Sequence, residues 1–358
     1  MSWDQSRFRK LLFRLDPETA HHLTLGLLRV AGALAPIRSV LRRTFLVSHA
    51  SLRVRAFGLD FANPIGLAAG YDKDGIAMHG LACLGFGHLE LGAVTPAAQR
   101  GNPRPRVFRL VADEALVNRM GFPNRGAGAL ARRLARGRPK DVVIGVNLGK
   151  AADTPLEDAA GDYRLLVGMF FGLADYLVLN LSSPNTPGLR RLQDAPALAR
   201  LLEEVKQERR QFEAKTGRKV PVLAKLSPDL EARPLQAAVE AIAGAGLEGI
   251  VATNTTLNRE GLVSPEAAEA GGLSGAPLRG RSTDFLRRVV ELSEGSLPVV
   301  GVGGVMDSAA AREKLAAGAC LVQIYTGLVY RGPGLVRDIL TDLAADEKGG
   351  SEDSSPPG

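Results

Sequence analysis

Two cysteines in 358 residues cannot staple this chain, and Cys83 and Cys320 stand in apolar surroundings without a Cys-x-x-Cys spacing. That excludes a disulfide framework and a thiolate metal centre, and it points to a reducing compartment. The five histidines, His21, His22, His49, His79 and His88, show no ligand spacing, so no metal site is expected. Aromatic residues make up only 5% of the chain and no groove-reading motif accompanies its basic residues, which argues against a nucleic-acid partner. Long apolar runs are missing too. The longest, 23–37, is interrupted by Arg29 and falls short of the roughly 20 residues a spanning helix needs. No small-residue cleavage site follows an apolar region near the start, so no secretory signal is read.

What the chain does have is an ordinary globular balance, 45% hydrophobic and 23% charged, in a length that allows one large domain and an appendage. The net charge of +7 is concentrated: residues 1–46 carry eight basic side chains against three acidic ones. Basic residues interleaved with Leu and Phe fit an anionic membrane surface, and an ordinary solvated helical face is the competing reading. Phe8, Leu11, Leu12 and Leu15 recur at helical spacing, and Asp16-Pro17-Glu18 then opens a second helix with a cap, a first-turn proline and an early acid. Two amphipathic helices are therefore expected, with the basic run 38–43 as the exit into a separate body and a boundary near residue 46.

Beyond it, residues 52–61 alternate like a surface strand with a turn at Gly58. Core strands are expected at 65–69, 88–94, 142–148, 176–181, 221–226, 249–253, 298–303 and 321–325, with helical patterns such as 196–212 and 282–293 between them. Eight strand–helix units in series predict a closed (β/α)8 TIM barrel over residues 47–345, and 106–120 reads as an inserted hairpin after the second strand. The Gly/Ser/Pro/acid-rich tail, 346–358, is expected to be disordered.

In such a barrel the chemistry sits at the carboxyl ends of the strands. The most informative tip is Leu-Asn-Leu-Ser-Ser-Pro-Asn-Thr-Pro-Gly at 179–188, where an apolar strand stops in amides, hydroxyls and rigid turns without a carboxylate or histidine. Donors without acids suit a planar, anionic ligand. The other tips agree: Ala69-Gly70-Tyr71-Asp72-Lys73, Ala93, Asn147, Lys225, Thr253-Asn254-Thr255, Gly303-Gly304 and Tyr325-Thr326. The glycines after the seventh and eighth strands would offer free N–H groups where barrels commonly hold a phosphate, or they are tight turns. Lys225 ends a buried strand, where its ammonium costs several kcal/mol unless it meets an anion or acceptors, or snorkels past the strand end. Lys73, flanked by Asp72 and Asp74, could serve an anion or a plain salt bridge. Ser183 is the one candidate base held by a rigid turn, and no histidine lies near it in sequence to form a triad.

Together these stretches resemble the quinone-dependent, membrane-associated (class 2) dihydroorotate dehydrogenase family over about residues 11–338. The resemblance is carried by Leu-Asp-Pro-Glu-Thr-Ala-His at 15–21, Asn-Pro-Ile-Gly-Leu-Ala-Ala-Gly-Tyr-Asp-Lys-Asp-Gly at 63–75 and Asn-Arg-Met-Gly-Phe at 118–122. It continues in Asn-Leu-Ser-Ser-Pro-Asn-Thr-Pro-Gly-Leu at 180–189, Ala-Thr-Asn-Thr-Thr at 252–256, Gly-Gly-Leu-Ser-Gly at 271–275 and Gln-Ile-Tyr-Thr-Gly at 323–327.

The resemblance implies oxidation of dihydroorotate to orotate in de novo pyrimidine (UMP) synthesis, with one FMN per chain and a quinone as acceptor. Ser183 would be the base; cytosolic classes of the family carry cysteine there. Lys73, Asn118, Arg119, Met120, Gly121, Phe122, Asn180, Asn185, Asn254 and Thr255 would hold orotate. Ala69, Gly70, Tyr71, Asp72, Lys73, Ala93, Asn147, Asn180, Lys225, Thr253, Gly275, Gly304, Tyr325 and Thr326 would hold FMN, and His21, Arg109 and Tyr325 would line the quinone mouth. Family members usually have threonine where Ala93 stands; losing that hydroxyl costs about 1 kcal/mol and leaves a backbone contact. A monomer on the cytoplasmic face of the cell membrane is expected. The alternatives are another FMN barrel such as a 2-hydroxy-acid oxidase, which wants a histidine base at a strand tip, a Lys225 Schiff-base aldolase without flavin, and a non-catalytic membrane scaffold.

Overall fold

The computed structural model describes the backbone of residues 5–352 and the side chains of residues 9–345. The chain enters through three helices, α1 (Gln5–Phe13), α2 (Pro17–Ala33) and α3 (Ala35–Phe45). Asp16 caps α2 as its sequence foretells, its carboxylate accepting from the Thr19 N–H at 2.9 Å with Pro17 in the first turn. The expected pair of helices is thus corrected to three. The basic run 38–43 lies inside α3 because Pro36 starts a new helix at a 108° bend instead of ending the helical region.

A hairpin of β1 (Val54–Ala56) and β2 (Leu59–Phe61) follows, turning at Phe57-Gly58. Eight parallel strands then close a barrel in chain order: β3 (Ile65–Leu67), β4 (His88–Val94), β7 (Val143–Leu148), β8 (Tyr176–Asn180), β9 (Val222–Leu226), β10 (Gly249–Ala252), β12 (Val299–Val302) and β13 (Ala319–Ile324). Every expected core strand is present, 88–94 at its expected bounds and the other seven shifted by one or two residues at their ends. Val, Ile and Leu dominate because both faces are covered, the outer one by helices and the inner one by its neighbours across the lumen.

The lumen is filled by complementary sizes. A Cβ on Gly66 would strike the His88 ring and one on Gly145 the Tyr176 ring, so two small positions make room for two large ones. Outside, Leu198, Leu201, Leu202 and Val205 form the buried stripe of helix Ala195–Thr216, each worth about 1.5–3 kcal/mol against exposure.

The insertion after the second barrel strand is the hairpin β5 (Val107–Leu110) and β6 (Ala115–Asn118), as its alternation implied. It gains a third strand, β11 (Gly272–Gly275), antiparallel to β6. The last helix runs Leu335–Glu352, so the beginning of the tail read as disordered continues a helix; residues 353–358 lie outside the described residues.

Candidate active site

The carboxyl ends of the barrel strands open into one cavity of about 980 Å³, its mouth included. Ser183, Lys73, Asn118, Met120, Gly121, Phe122, Asn180, Asn185, Asn254 and Thr255 line it together with Ala69, Gly70, Ala93, Lys225, Thr253, Gly275, Gly304, Tyr325 and Thr326. Residues drawn from seven strand ends and the inserted sheet thus meet at one face, because a parallel barrel delivers every strand end to the same rim.

One wall is made of amides. Asn185 Nδ2 donates to Asn118 Oδ1 at 3.1 Å, which ties the loop after β8 to the end of β6. Asn254 Nδ2 donates to Asn180 Oδ1 at 3.2 Å and to Ser182 Oγ at 3.0 Å. Ser183 is 5% exposed, and its Oγ accepts from the Asn185 N–H at 3.2 Å, a local turn that fixes the hydroxyl at the cavity wall. Lys73 Nζ donates to Gly70 O at 2.7 Å and approaches Met120 Sδ at 3.5 Å. It forms no ion pair with its neighbours in sequence: Asp74 receives the Arg125 N–H at 2.9 Å, and Asp72 receives those of Ile76 and Ala77 at 2.9 and 2.7 Å. Burial pulls the Lys73 ammonium down to about 8, the charges of Asp74, Glu18 and Asp72 resisting. The salt bridge is therefore not formed, and the ammonium is left at the cavity wall with Gly70 O as its acceptor.

The opposite wall is backbone and small side chains. Gly303 and Gly304 take φ of +113° and +72°, and a Cβ on Gly304 would collide with the backbone of Arg279, so only glycine lets this loop lie against the start of the preceding helix, Arg279–Leu292. The N–H groups of both glycines are claimed by no backbone carbonyl. Thr326 Oγ1 donates to Ser274 Oγ at 2.8 Å at the same end. Lys225 rises from the floor, 5% exposed, without a hydrogen-bond partner among the described residues; burial depresses its pKa and Glu90 opposes the shift.

Six expected site residues do not line the cavity, four assigned to orotate or FMN and two, His21 and Arg109, to the quinone mouth. Arg119 turns outward to pair with Glu269 at 2.6 Å and lies 4.5 Å over the Phe108 ring, because alternation along the segment after β6 sends it away from Asn118. Asp72 anchors the turn before helix Met78–Ala82 through the two N–H groups just named. Asn147 sits below the cavity, passing a hydrogen bond from Asn180 at 2.9 Å to Glu90 at 2.7 Å. Tyr71 packs edge-on between His21 at 5.0 Å and Tyr325 at 5.5 Å, so a row of three rings runs from α2 to the cavity wall. Arg109 stands at the end of α1, donating to Leu15 O at 2.8 Å and stacking on Phe13 at 4.8 Å. Burial, with Lys73 and His22 adding to it, holds His21 neutral down to about 3.

Glu90, Gln323 and Ser274 are functional candidates that motif reading passed over. The signal for Glu90 was present: alternation along His88-Leu89-Glu90-Leu91-Gly92 points His88 and Glu90 to the same, inner face of a strand buried on both sides.

A (β/α)8 barrel whose strand tips form an acid-poor, cationic, amide-lined cavity is an enzyme that binds anionic ligands. The family model for dihydroorotate dehydrogenase matches residues 51–346. A dihydroorotate dehydrogenase (quinone) of Azotobacter vinelandii is 48% identical over 338 residues, covering 94% of this chain and 96% of its own. That of Thermus thermophilus is 50% identical over 336 residues, covering 93% and 94%. The crystal structure of an Eimeria tenella DHODH with ferulenol superimposes with a TM-score of 0.86 at 33% identity, covering 94% of this chain and 93% of that one. The chain belongs to the dihydroorotate dehydrogenase family, in its quinone-dependent class, and is an oxidoreductase.

Proposed function

We propose that the chain oxidises dihydroorotate to orotate on bound FMN, a step of pyrimidine (UMP) synthesis, and delivers the electrons to a membrane quinone. The observation that carries this reading is the placement of Ser183, Lys73 and four asparagines around one cavity with Lys225 and the Gly303-Gly304 loop.

The residues present fit the cofactor. An unpartnered buried ammonium on the floor suits the electron-rich N1/O2 edge of a flavin, and free glycine N–H groups with the Ser274–Thr326 hydroxyls suit its phosphate. Lys225, Thr253, Ala69, Gly70, Ala93, Gly275, Gly304, Tyr325 and Thr326 would hold it, with Asn180 between it and the substrate; Asn147 acts from beneath. When bound, FMN supplies hydride acceptance from C6 of the substrate and passes the electrons on.

The chain's own part is to bind, orient and deprotonate. Lys73 offsets the orotate carboxylate, while Asn118, Asn185, Asn254 and Thr255 match the amide edges of the ring with donors and acceptors. Ser183 Oγ takes the proton from C5 as its own hydroxyl proton passes to water. A serine is a weak base, so positioning and nearby hydroxyls must help, and Thr186, whose buried Oγ1 has no hydrogen-bond partner, stands three residues on. No histidine lines the cavity, which counts against hydroxy-acid oxidase chemistry.

Residues 1–46 form the quinone mouth on an anionic membrane surface at the cytoplasmic face, and 47–345 the FMN barrel of a monomer. Of the fifteen large hydrophobic side chains exposed among the described residues, nine lie between Leu11 and Leu46. No single helix among the described residues is long and apolar enough to cross a membrane, and only the pair Pro17–Ala33 and Ala35–Phe45, bent by 108°, reaches that length and composition together; an amphipathic seat on the bilayer surface is the reading proposed for them.

Anaerobic dihydroorotate should bleach the yellow protein, and of quinone, fumarate and NAD only quinone should restore the colour. Recolouring by fumarate or NAD overturns the assignment of acceptor, and failure to bleach overturns the assignment of substrate.

A further inference from the structure

Glu90 lies in the middle of β4 with no exposure at all, and it and Lys225 are the two charged side chains buried in the lumen near the cavity floor. Such a carboxylate requires hydrogen-bond donors, and it has two: Asn147 Nδ2 at 2.7 Å on Oε1 and Gln323 Nε2 at 2.6 Å on Oε2. An ionised carboxylate only accepts. Asn147 must therefore turn its NH2 toward Glu90 and its carbonyl the other way, where Oδ1 accepts from Asn180 Nδ2 at 2.9 Å. Asn180 is thereby fixed with its own Oδ1 toward Asn254 Nδ2 at 3.2 Å, and Asn254 Oδ1 accepts the Thr255 N–H at 2.8 Å.

Four residues thus form a one-way relay that begins at an anion and ends at the amide wall. An asparagine is nearly the same shape in either flip, and reversing it exchanges donor for acceptor at every later member. Without an obligate acceptor at the base, the direction is held only from the other end, by the Ser182 N–H on Asn180 Oδ1 at 3.4 Å and the Thr255 N–H on Asn254 Oδ1 at 2.8 Å, and is less firmly fixed.

We infer that Glu90 is a positioning residue: through Asn147 it fixes which way Asn180 and Asn254 present donor and acceptor to the substrate. The inference rests on the substrate site proposed above. Glu90 touches neither substrate nor cavity; it acts through three amides. Lys225, whose charged state Glu90 favours across the lumen, gives the anion a second reason to be where it is.

The test uses the flavin-loaded enzyme and orotate, read as the change in flavin absorbance on titration. Glu90→Gln keeps the size and shape of the side chain while replacing one of its two acceptor oxygens by a donor, and orotate should bind about tenfold more weakly to the flavin-loaded fraction of this variant. If Glu90 works through the relay, its one link to the amide wall is Asn147, so E90Q combined with Asn147→Ser binds no more weakly than either single variant. Wild-type affinity in E90Q, or losses that multiply in the double variant, overturns the inference. Should E90Q not fold, Asn147→Ser breaks the relay with the carboxylate left in place and carries the same tenfold expectation, and unchanged affinity there overturns it equally. Wild-type enzyme that fails to bind orotate overturns the substrate reading instead.

Discussion

The Glu18 carboxylate of α2 lies on the Arg106 guanidinium at the start of the inserted hairpin, Oε1 on Nη2 at 2.6 Å and Oε2 on Nε at 3.1 Å, with both side chains nearly closed to water. Arg104 adds a contact at 3.0 Å. The other face of Arg106 donates to Arg100 O and Asn102 O at 2.7 and 2.8 Å, and Asn102 Nδ2 in turn donates to Arg119 O at 2.8 Å. The entry helices are therefore bolted to the loop that precedes the substrate wall by a bidentate pair 88 residues apart in sequence.

Glu18→Ala leaves the buried guanidinium unpaired, a loss on the order of 3–5 kcal/mol borne by the seating of α1–α3. We expect faster proteolysis within residues 1–46 and a larger fall in quinone-linked turnover than in anaerobic flavin reduction by dihydroorotate. Equal falls in both would contradict this. Burial pushes the Glu18 carboxyl up, but the bonds and charges of Arg106 and Arg104 outweigh it and hold it at about 2. Its folded value lies below its ordinary one, so the pair's stabilisation is complete above about 4.5 and drains away as pH falls toward 2.

Ser183→Ala removes the proposed base and leaves the cavity's shape. Flavin content and orotate affinity should hold, while flavin reduction by dihydroorotate in stopped flow loses at least about 10²-fold, the lower end of what a positioned base contributes. A normal single-turnover rate in that variant would remove Ser183 from the mechanism.

Lys73 titrates at about 8 when no ligand is present, since burial disfavours the ammonium. Orotate pairs with the charged form, so its affinity should be flat below pH 7 and decline as pH rises through 8, by at most about tenfold per unit. Lys73→Met should weaken binding and flatten the profile. A wild-type affinity that rises from pH 7 to 9.5 would reverse the sign and refute the pairing.

Lys225 is buried, with its pKa lowered by that burial and without a hydrogen-bond partner among the described residues, a cost that the proposed flavin edge would offset when bound. Lys225→Met should therefore leave the flavin-free protein as stable or more stable by melting temperature, yet lower the melting temperature of the loaded protein and its flavin content. Parallel losses in both forms would show the lysine to be structural.

Much of this protein is written locally. Period-two alternation and short Leu/Val/Ile runs mark all eight barrel strands, Asp16-Pro17 marks the start of α2, and the 106–120 alternation marks the inserted hairpin, because each signal depends on neighbours within a few residues. The tips could be assembled into a site because a parallel barrel brings its strand ends to one rim once the eight strands are known.

Other features depend on partners distant in sequence. Gly272–Gly275 reads as a glycine loop and becomes a strand because β6, more than 150 residues earlier, offers its free edge. Arg119 belongs to a motif that faces the cavity, yet Glu269 and the Phe108 ring draw it outward. Glu90 looks like a misplaced charge in an apolar strand until Asn147 and Gln323 close on it. Local periodicity was enough to lay out the barrel, the acid-poor rim and the groups available there, since secondary structure follows near neighbours in the chain. Which of those groups face the cavity, which are spent on one another and which way the buried amides point came from the folded chain, because side-chain direction and hydrogen-bond polarity are set by contacts across the lumen that no local pattern encodes.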